Sequence, residues 1–196
     1  MVVFDTCFLL FLLREDLPPI HHPDTGEEIQ DARRKIQHLV VQLQKSRTKI
    51  LIPTPVLAEI LAMFGGKADE IVRELSQNYH LEFAPFDTMS AIEAGMAFYS
   101  ARQQGDKKGG SQRSWQRVKF DRQIVSIAKA HRATAVYSND KEVLKWTEEL
   151  GMKGIAAWDL DSPPPEQSAF EFGSAHASSD SESETERDSE STVDDD

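Results

Sequence analysis

The chain carries one cysteine, Cys7, and its longest unbroken apolar stretch, residues 7–13, is seven residues. A single thiol excludes an intrachain disulfide and suits a reducing compartment. Seven apolar residues fall far short of the about 20 that a helix needs to cross a bilayer. The first residues also lack the Lys/Arg of a signal peptide, and Asp5 interrupts the apolar start. The expectation is a soluble, cytoplasmic protein with no membrane attachment. Basic charge is scarce in one part only. Of 33 acids and 22 bases, residues 161–196 hold 12 acids and the single base Arg187, so residues 1–160 keep 21 of each. The net charge of −11 therefore belongs to the end of the chain, and the neutral remainder is not barred from a nucleic-acid partner. The prolines of SPPPEQ, 162–167, mark a boundary. The Ser/Asp/Glu-rich segment beyond has too little apolar surface to fold alone, so 161–196 is expected to be disordered.

Residues 1–160 suffice for one domain with its own core. Val2 to Phe4 is a short β-branched run that reads as a buried strand, and Thr6 can cap a helix over Cys7 to Leu13. Residues 14–28, with three prolines, read as a loop. Residues 29–46 space Ile29, Ala32, Ile36, Leu39, Val40 and Leu43 along one helical face. Further along, strands are expected over Lys49–Ile52, residues 80–86, Ala133–Tyr137 and Ile155–Ala157. Helices are expected over Val56–Phe64 (capped by Thr54 and Pro55), Lys67–Gln77, Thr88–Gln103, Phe120–His131 and Lys141–Leu150. On the Thr88–Gln103 helix, Ile92, Gly95, Met96 and Tyr99 share one side. Strands alternating with helices point to a three-layer α/β domain with a mainly parallel sheet.

Ligands of such sheets bind at the carboxyl ends of the strands. Four acids fall there or on adjoining first turns: Asp5 after the first strand, Glu59 after the second, Asp121 opening the helix before the fourth strand, and Asp140 after that strand. Carboxylates gathered that closely repel one another unless a divalent cation sits among them, and an all-oxygen set suits Mg²⁺ or Mn²⁺. Each acid also has a plainer use. Asp121 and Asp140 can cap helices, and Glu59 can be an ordinary surface acid. Asp5 has the weakest structural alternative, because Thr6 reads as the better cap.

FDTCFLL, PTPVLAEIL, KFDRQIVSIAKAH and AVYSNDKEV, in that order, resemble the motifs of the PIN-domain family of metal-dependent ribonucleases. The resemblance spans about residues 1–158, and the compact start is similar to the VapC-type toxins of toxin–antitoxin pairs. It implies an α/β/α fold with a parallel sheet of four to five strands. It also implies catalytic, metal-binding roles for Asp5, Glu59, Asp121 and Asp140 with Mg²⁺ or Mn²⁺, and orienting roles for Thr6, Ser138 and Asn139, with Glu142 as a further acid. The implied reaction is hydrolysis of RNA phosphodiester bonds. A homodimer and an antitoxin protein are the implied partners, and the apolar runs Phe8–Leu13 and Val40–Leu43 are either their docking faces or core. Substrate contact is expected from Lys107, Lys108, Arg113, Arg117, Lys119 and Arg122, which crowd ahead of Asp121 with Trp115 among them. The alternative for these residues is a solvated loop with Trp115 tucked into the core.

Three other readings stay open. A haloacid-dehalogenase-type phosphatase needs a second Asp two positions after the first, where this chain has Cys7. A non-catalytic PIN-like scaffold that binds RNA or protein is the second. An RNA-processing nuclease in a larger assembly is the third, with the serine-rich acidic segment as a phosphorylatable arm. The long connections at 14–28 and 104–118 and the acidic segment all depart from the family pattern.

Overall fold

The computed structural model describes residues 1–164. The segment expected to be disordered lies, from 165 onward, outside the described residues. Five parallel strands run in the order β3-β2-β1-β4-β5: β1 (Val2–Phe4), β2 (Ile50–Pro53), β3 (Leu81–Ala84), β4 (Ala135–Tyr137) and β5 (Lys153–Ile155). The helices are α1 (Thr6–Leu13), α2 (Ala32–Lys45), α3 (Thr54–Phe64), α4 (Ala68–Gln77), α5 (Thr88–Gln103), α6 (Trp115–Ala130) and α7 (Lys141–Glu149). Short 3₁₀ turns follow α3 at Gly65–Lys67 and β5 at Ala157–Asp159.

Successive side chains of a strand face opposite ways, and here each way meets a separate apolar layer. Val3, Leu51 and Val136 pack with α3, α4, α6 and α7 residues such as Val56, Ile71, Ile124 and Trp146. Val2, Phe4, Ile50 and Tyr137 pack instead with Phe8 of α1 and Ile36, Leu39 and Leu43 of α2. The three rings of Phe4, Phe8 and Tyr137 meet with centroids 5.3–5.6 Å apart. Full burial of such rings and aliphatic chains stabilises by roughly 1.5–3 kcal/mol each. The α1 run and the Leu39–Leu43 turn of α2 are thus core at Phe8, Leu9, Leu39 and Leu43.

Several expectations shift. The face of α5 that carries Ile92, Met96 and Tyr99 looks outward, with those residues 50%, 64% and 66% exposed. Ser90, Ala94 and Ala101 make the buried side instead. Pro53, not Thr54, holds the cap position of α3, and the Thr54 hydroxyl accepts from Phe86 N. Helix α6 starts five residues earlier than the spacing suggested, because Ser114 caps it through Arg117 N. The 14–31 connection is tied down by the His21–Glu28 bridge, by the Lys141–Asp24 ion pair and by His22 against Trp158. Among the described residues no helix is long and apolar enough to cross a membrane.

Candidate active site

From β1 the chain proceeds to β2 and β3 on one side, while β4 and β5 lie on the other. The crevice at the carboxyl ends of β1 and β4 is therefore the topological switch point, where parallel sheets bind ligands. Register fixes what faces it. Phe4 pairs with Tyr137, so Asp5 and Ser138 leave the sheet side by side. The Ser138 hydroxyl donates to Asp5 Oδ2 at 2.6 Å and accepts from Asp140 N at 3.0 Å. One serine thus sets the two acids that follow β1 and β4.

Asp5 caps α1, its Oδ1 accepting from Thr6 N at 2.7 Å. This corrects the view of Thr6 as the cap. The Thr6 hydroxyl is free for another task and donates to Glu59 of α3. Asp140 likewise caps α7, accepting from Glu142 N at 3.0 Å. Capping and membership of the cluster are therefore not alternatives for Asp5 and Asp140. Asp121 sits in the second turn of α6, not at its start, and does not cap it. Asn139 turns away from the acids: its Oδ1 braces Ala157 N at 2.9 Å, and its own N–H points to Cys7 Sγ at 3.2 Å. Cys7 lies with its Sγ 3.9 Å from Asp5 Oδ2, and burial pushes its thiol up.

The electrostatics are those of carboxylates held too close in too little water. Burial pushes the Asp5 carboxyl above its usual range, and Asp140 and Glu59 add to the push. Hydrogen bonds from Ser138 and Thr6 pull the other way without prevailing. Asp121 is pushed up to about 7 by burial, then by Asp140 and Asp5, against Arg117 and Arg113. Asp121 Oδ2 and Glu142 Oε2 are buried without a hydrogen-bond donor. Unsatisfied anionic oxygens in a low-dielectric crevice call for a cation.

Two arginines answer part of that demand. Arg113 donates to Asp140 and lies 3.5 Å from Asp121 and 3.9 Å from Glu142. Arg117 approaches Asp121 and Asp140 at 4.0 and 3.8 Å. Among the described residues, no three His, Cys, Asp or Glu side chains are drawn into a metal-ligand cluster. The donor chemistry nonetheless fits a hard divalent ion: four carboxylates from four elements, two of them held above the normal range, and no nitrogen or sulfur ligand among them.

The remaining residues expected at RNA divide. Lys107 and Lys119 are exposed, with the Lys107 ammonium 5.6 Å from the Trp115 ring centre. Trp115 itself is half-buried against Phe98, so the core alternative describes it better than a free stacking ring. Lys108 closes its own loop by donating to Arg113 O at 2.8 Å. Arg122 is buried and faces the α5–α7 flank rather than the acids.

Comparison with solved structures agrees with this architecture. Over 80% of this chain and 98% of the other, the structure matches a chain of VapBC2 from Rickettsia felis bound to a DNA fragment from their promoter, at TM-score 0.51 and 17% identity. The fold is PIN-like. A chain of DNA-bound VapBC from Salmonella typhimurium is also similar, at TM-score 0.47 and 16% identity over 80% and 97% of the two chains. No family model and no curated protein sequence matches the chain. Within this PIN-like domain, five strands settle the expected four to five, and the acid crevice lies at the carboxyl end of its central pair.

Proposed function

We propose that the chain is a metal-dependent ribonuclease and that it acts as the toxin of a toxin–antitoxin pair. The observation that carries this reading is the electrostatic crowding of Asp5, Glu59, Asp121 and Asp140 at the switch point of a PIN-like sheet, with Asp121 Oδ2 and the nearby Glu142 Oε2 buried without donors. Fold likeness alone does not assign chemistry; the state of these acids supports it independently. A divalent ion bound there, Mg²⁺ or Mn²⁺, would supply an acidified water and offset charge on a scissile phosphate. Asp5, Asp121 and Asp140 would hold it, with Glu59, fixed by the Thr6 hydroxyl, beside them. Ser138 keeps Asp5 and Asp140 in fixed relation. Arg113 and Arg117 flank the acids and meet an incoming phosphate with two guanidinium groups. The similar Rickettsia felis chain comes from a VapBC2 complex, which supports an antitoxin partner here. The outward apolar row on α5 is the surface assigned to a second copy of the chain.

The test is cleavage of end-labelled transfer and ribosomal RNA by wild type and Asp5→Asn, with Mg²⁺, Mn²⁺ or a chelator. Products that require metal and vanish in the variant are expected. A folded wild type that cuts no RNA under any of these conditions would sink the proposal. One observation favours a second reading, a non-catalytic RNA- or protein-binding scaffold: Arg113 already lies between Asp140, Asp121 and Glu142. Calorimetry separates the two, since a scaffold neutralised by its own arginine takes up no Mn²⁺.

A further inference from the structure

On the flank formed by α5, α6 and α7, away from the acids, lies an open cavity of about 570 Å³, and none of the acid set lines it. Its size is that of a small-molecule pocket. Its walls are partly apolar: Ala97, Ala101, Val125 and Leu150. Its floor is polar in an unusual way. Arg122 is only 6% exposed and its guanidinium carbon stands 5.0 and 5.5 Å from the ring centres of Trp146 and Phe98. Rings on either side hold the cation, but a ring face does not replace a hydrogen-bond acceptor. Arg122 Nη1 and Trp146 Nε1 are both buried donors with no acceptor.

The 106–110 loop is shaped around this pair. Gly109 has φ +65°, and a Cβ there would stand 2.9 Å from Arg122 Nη2 and 3.1 Å from Trp146 Nε1. Only glycine lets the backbone pass this close to the Arg122 guanidinium and the Trp146 indole in that conformation. A buried guanidinium N–H and a buried indole N–H left without acceptors are costly, so a molecule supplying acceptors there is favoured.

Charge selects among acceptors. Four ionic residues line the cavity: Arg122, Lys145, Asp106 and Glu149. Lys145 is engaged, donating to Gly109 O at 3.0 Å and lying 3.9 Å from Glu149. The four formal charges cancel, and Asp106 and Glu149 both act on Arg122 electrostatically; what Arg122 lacks is a hydrogen-bond acceptor, and the two acids repel a dianion. That matches one carboxylate and disfavours a phosphate, whose second charge and extra oxygens find no donors among those named.

We propose that this cavity binds a small carboxylic acid, its carboxylate accepting from Arg122 and Trp146 and its apolar body lying against Ala97, Ala101 and Leu150. The assignment is independent of the nuclease reading. The test follows the indole N–H resonances of the full chain during titration. Tryptophans 115, 146 and 158 give three peaks, and Trp146→Phe identifies the relevant one. Benzoate is the probe, with benzyl alcohol and inorganic phosphate as controls. Benzoate is expected to move the Trp146 peak saturably at about millimolar concentration, the range set by ligand efficiency for so small a molecule. Benzyl alcohol and phosphate are expected to bind at least about 10-fold more weakly, and Arg122→Gln to weaken benzoate about 10-fold to 100-fold. Ala97→Leu fills the cavity without touching either donor, so it decides the matter if Arg122→Gln fails to fold; it too is expected to weaken benzoate about 10-fold or more. A Trp146 peak that ignores benzoate overturns the site. Equal movement with benzyl alcohol or phosphate overturns the chemistry, and a folded Ala97→Leu with unchanged affinity overturns the location.

Discussion

Asp121→Asn should make the metal-free protein more stable, and the gain should depend on pH. In the folded chain burial and neighbouring acids push the Asp121 carboxyl from 3.8 up to about 7, at 11% side-chain exposure. The folded state therefore holds this proton when the unfolded chain has already released it. Between the two values folding takes up a proton, so stability falls as pH rises from about 4 to about 7, and the penalty is complete above that. A shift of about 3 units at 1.36 kcal/mol each gives about 4 kcal/mol at pH 8 and under about 1 kcal/mol at pH 4. Asparagine never ionises and escapes the penalty. Its amide can also donate to the neighbouring carboxylates. The expected result in chelator is an Asp121→Asn protein about 2–4 kcal/mol more stable at pH 8 by urea unfolding, with the advantage nearly gone at pH 4. Added Mn²⁺ should narrow the gap at pH 8 by stabilising wild type selectively. A variant no more stable than wild type at pH 8, or one with the same advantage at both pH values, refutes the account of Asp121 as a strained carboxylate.

Ser138→Ala removes the hydroxyl that links Asp5 to Asp140, and RNA cleavage should fall about 10-fold to 100-fold with the fold intact by circular dichroism. Arg113→Ala removes the guanidinium between Asp140, Asp121 and Glu142, so Mn²⁺ should bind more tightly by calorimetry while RNA binds more weakly by filter retention; weaker Mn²⁺ binding contradicts the competition. Ile92→Glu on the outward face of α5 should convert a dimer to a monomer in sedimentation at matched concentration, and an unchanged sedimentation coefficient removes α5 from the interface.

The strands were legible because short β-branched runs such as Val2–Phe4 and Ile50–Pro53 are buried on both faces of a parallel sheet. Asp5 and Asp140 were legible because each follows a strand, where an isolated carboxylate has little reason to follow an apolar run, whereas Glu59 and Asp121 lie inside helices. Their neighbours were less so. Arg113 reaches Asp140 across 27 residues of sequence, and nothing but its charge hints at that pairing. Arg122 adjoins Asp121 in the chain, yet a helix turns adjacent side chains about 100° apart, which sends the two to different flanks. The outward face of α5 shows the same limit from another side: periodicity groups Ile92, Met96 and Tyr99 but does not say which way the group points. Ser114, a helix cap, was hidden in a loop already rich in polar residues.

The hydrogen bond from Ser138 to Asp5 joins residues 133 positions apart, and Met1 O accepts from Thr134 N in the same way. The first carboxylate is thus made 133 residues before the group that aligns it, which comes near the end of the domain. A growing chain carries Asp5 through most of the domain's synthesis without the Ser138 hydroxyl, and interrupted products ending before β4 have half a crevice. Under the proposed ribonuclease reading, assembly order is a safeguard: the ribosome finishes nearly the whole domain before the acids can gather.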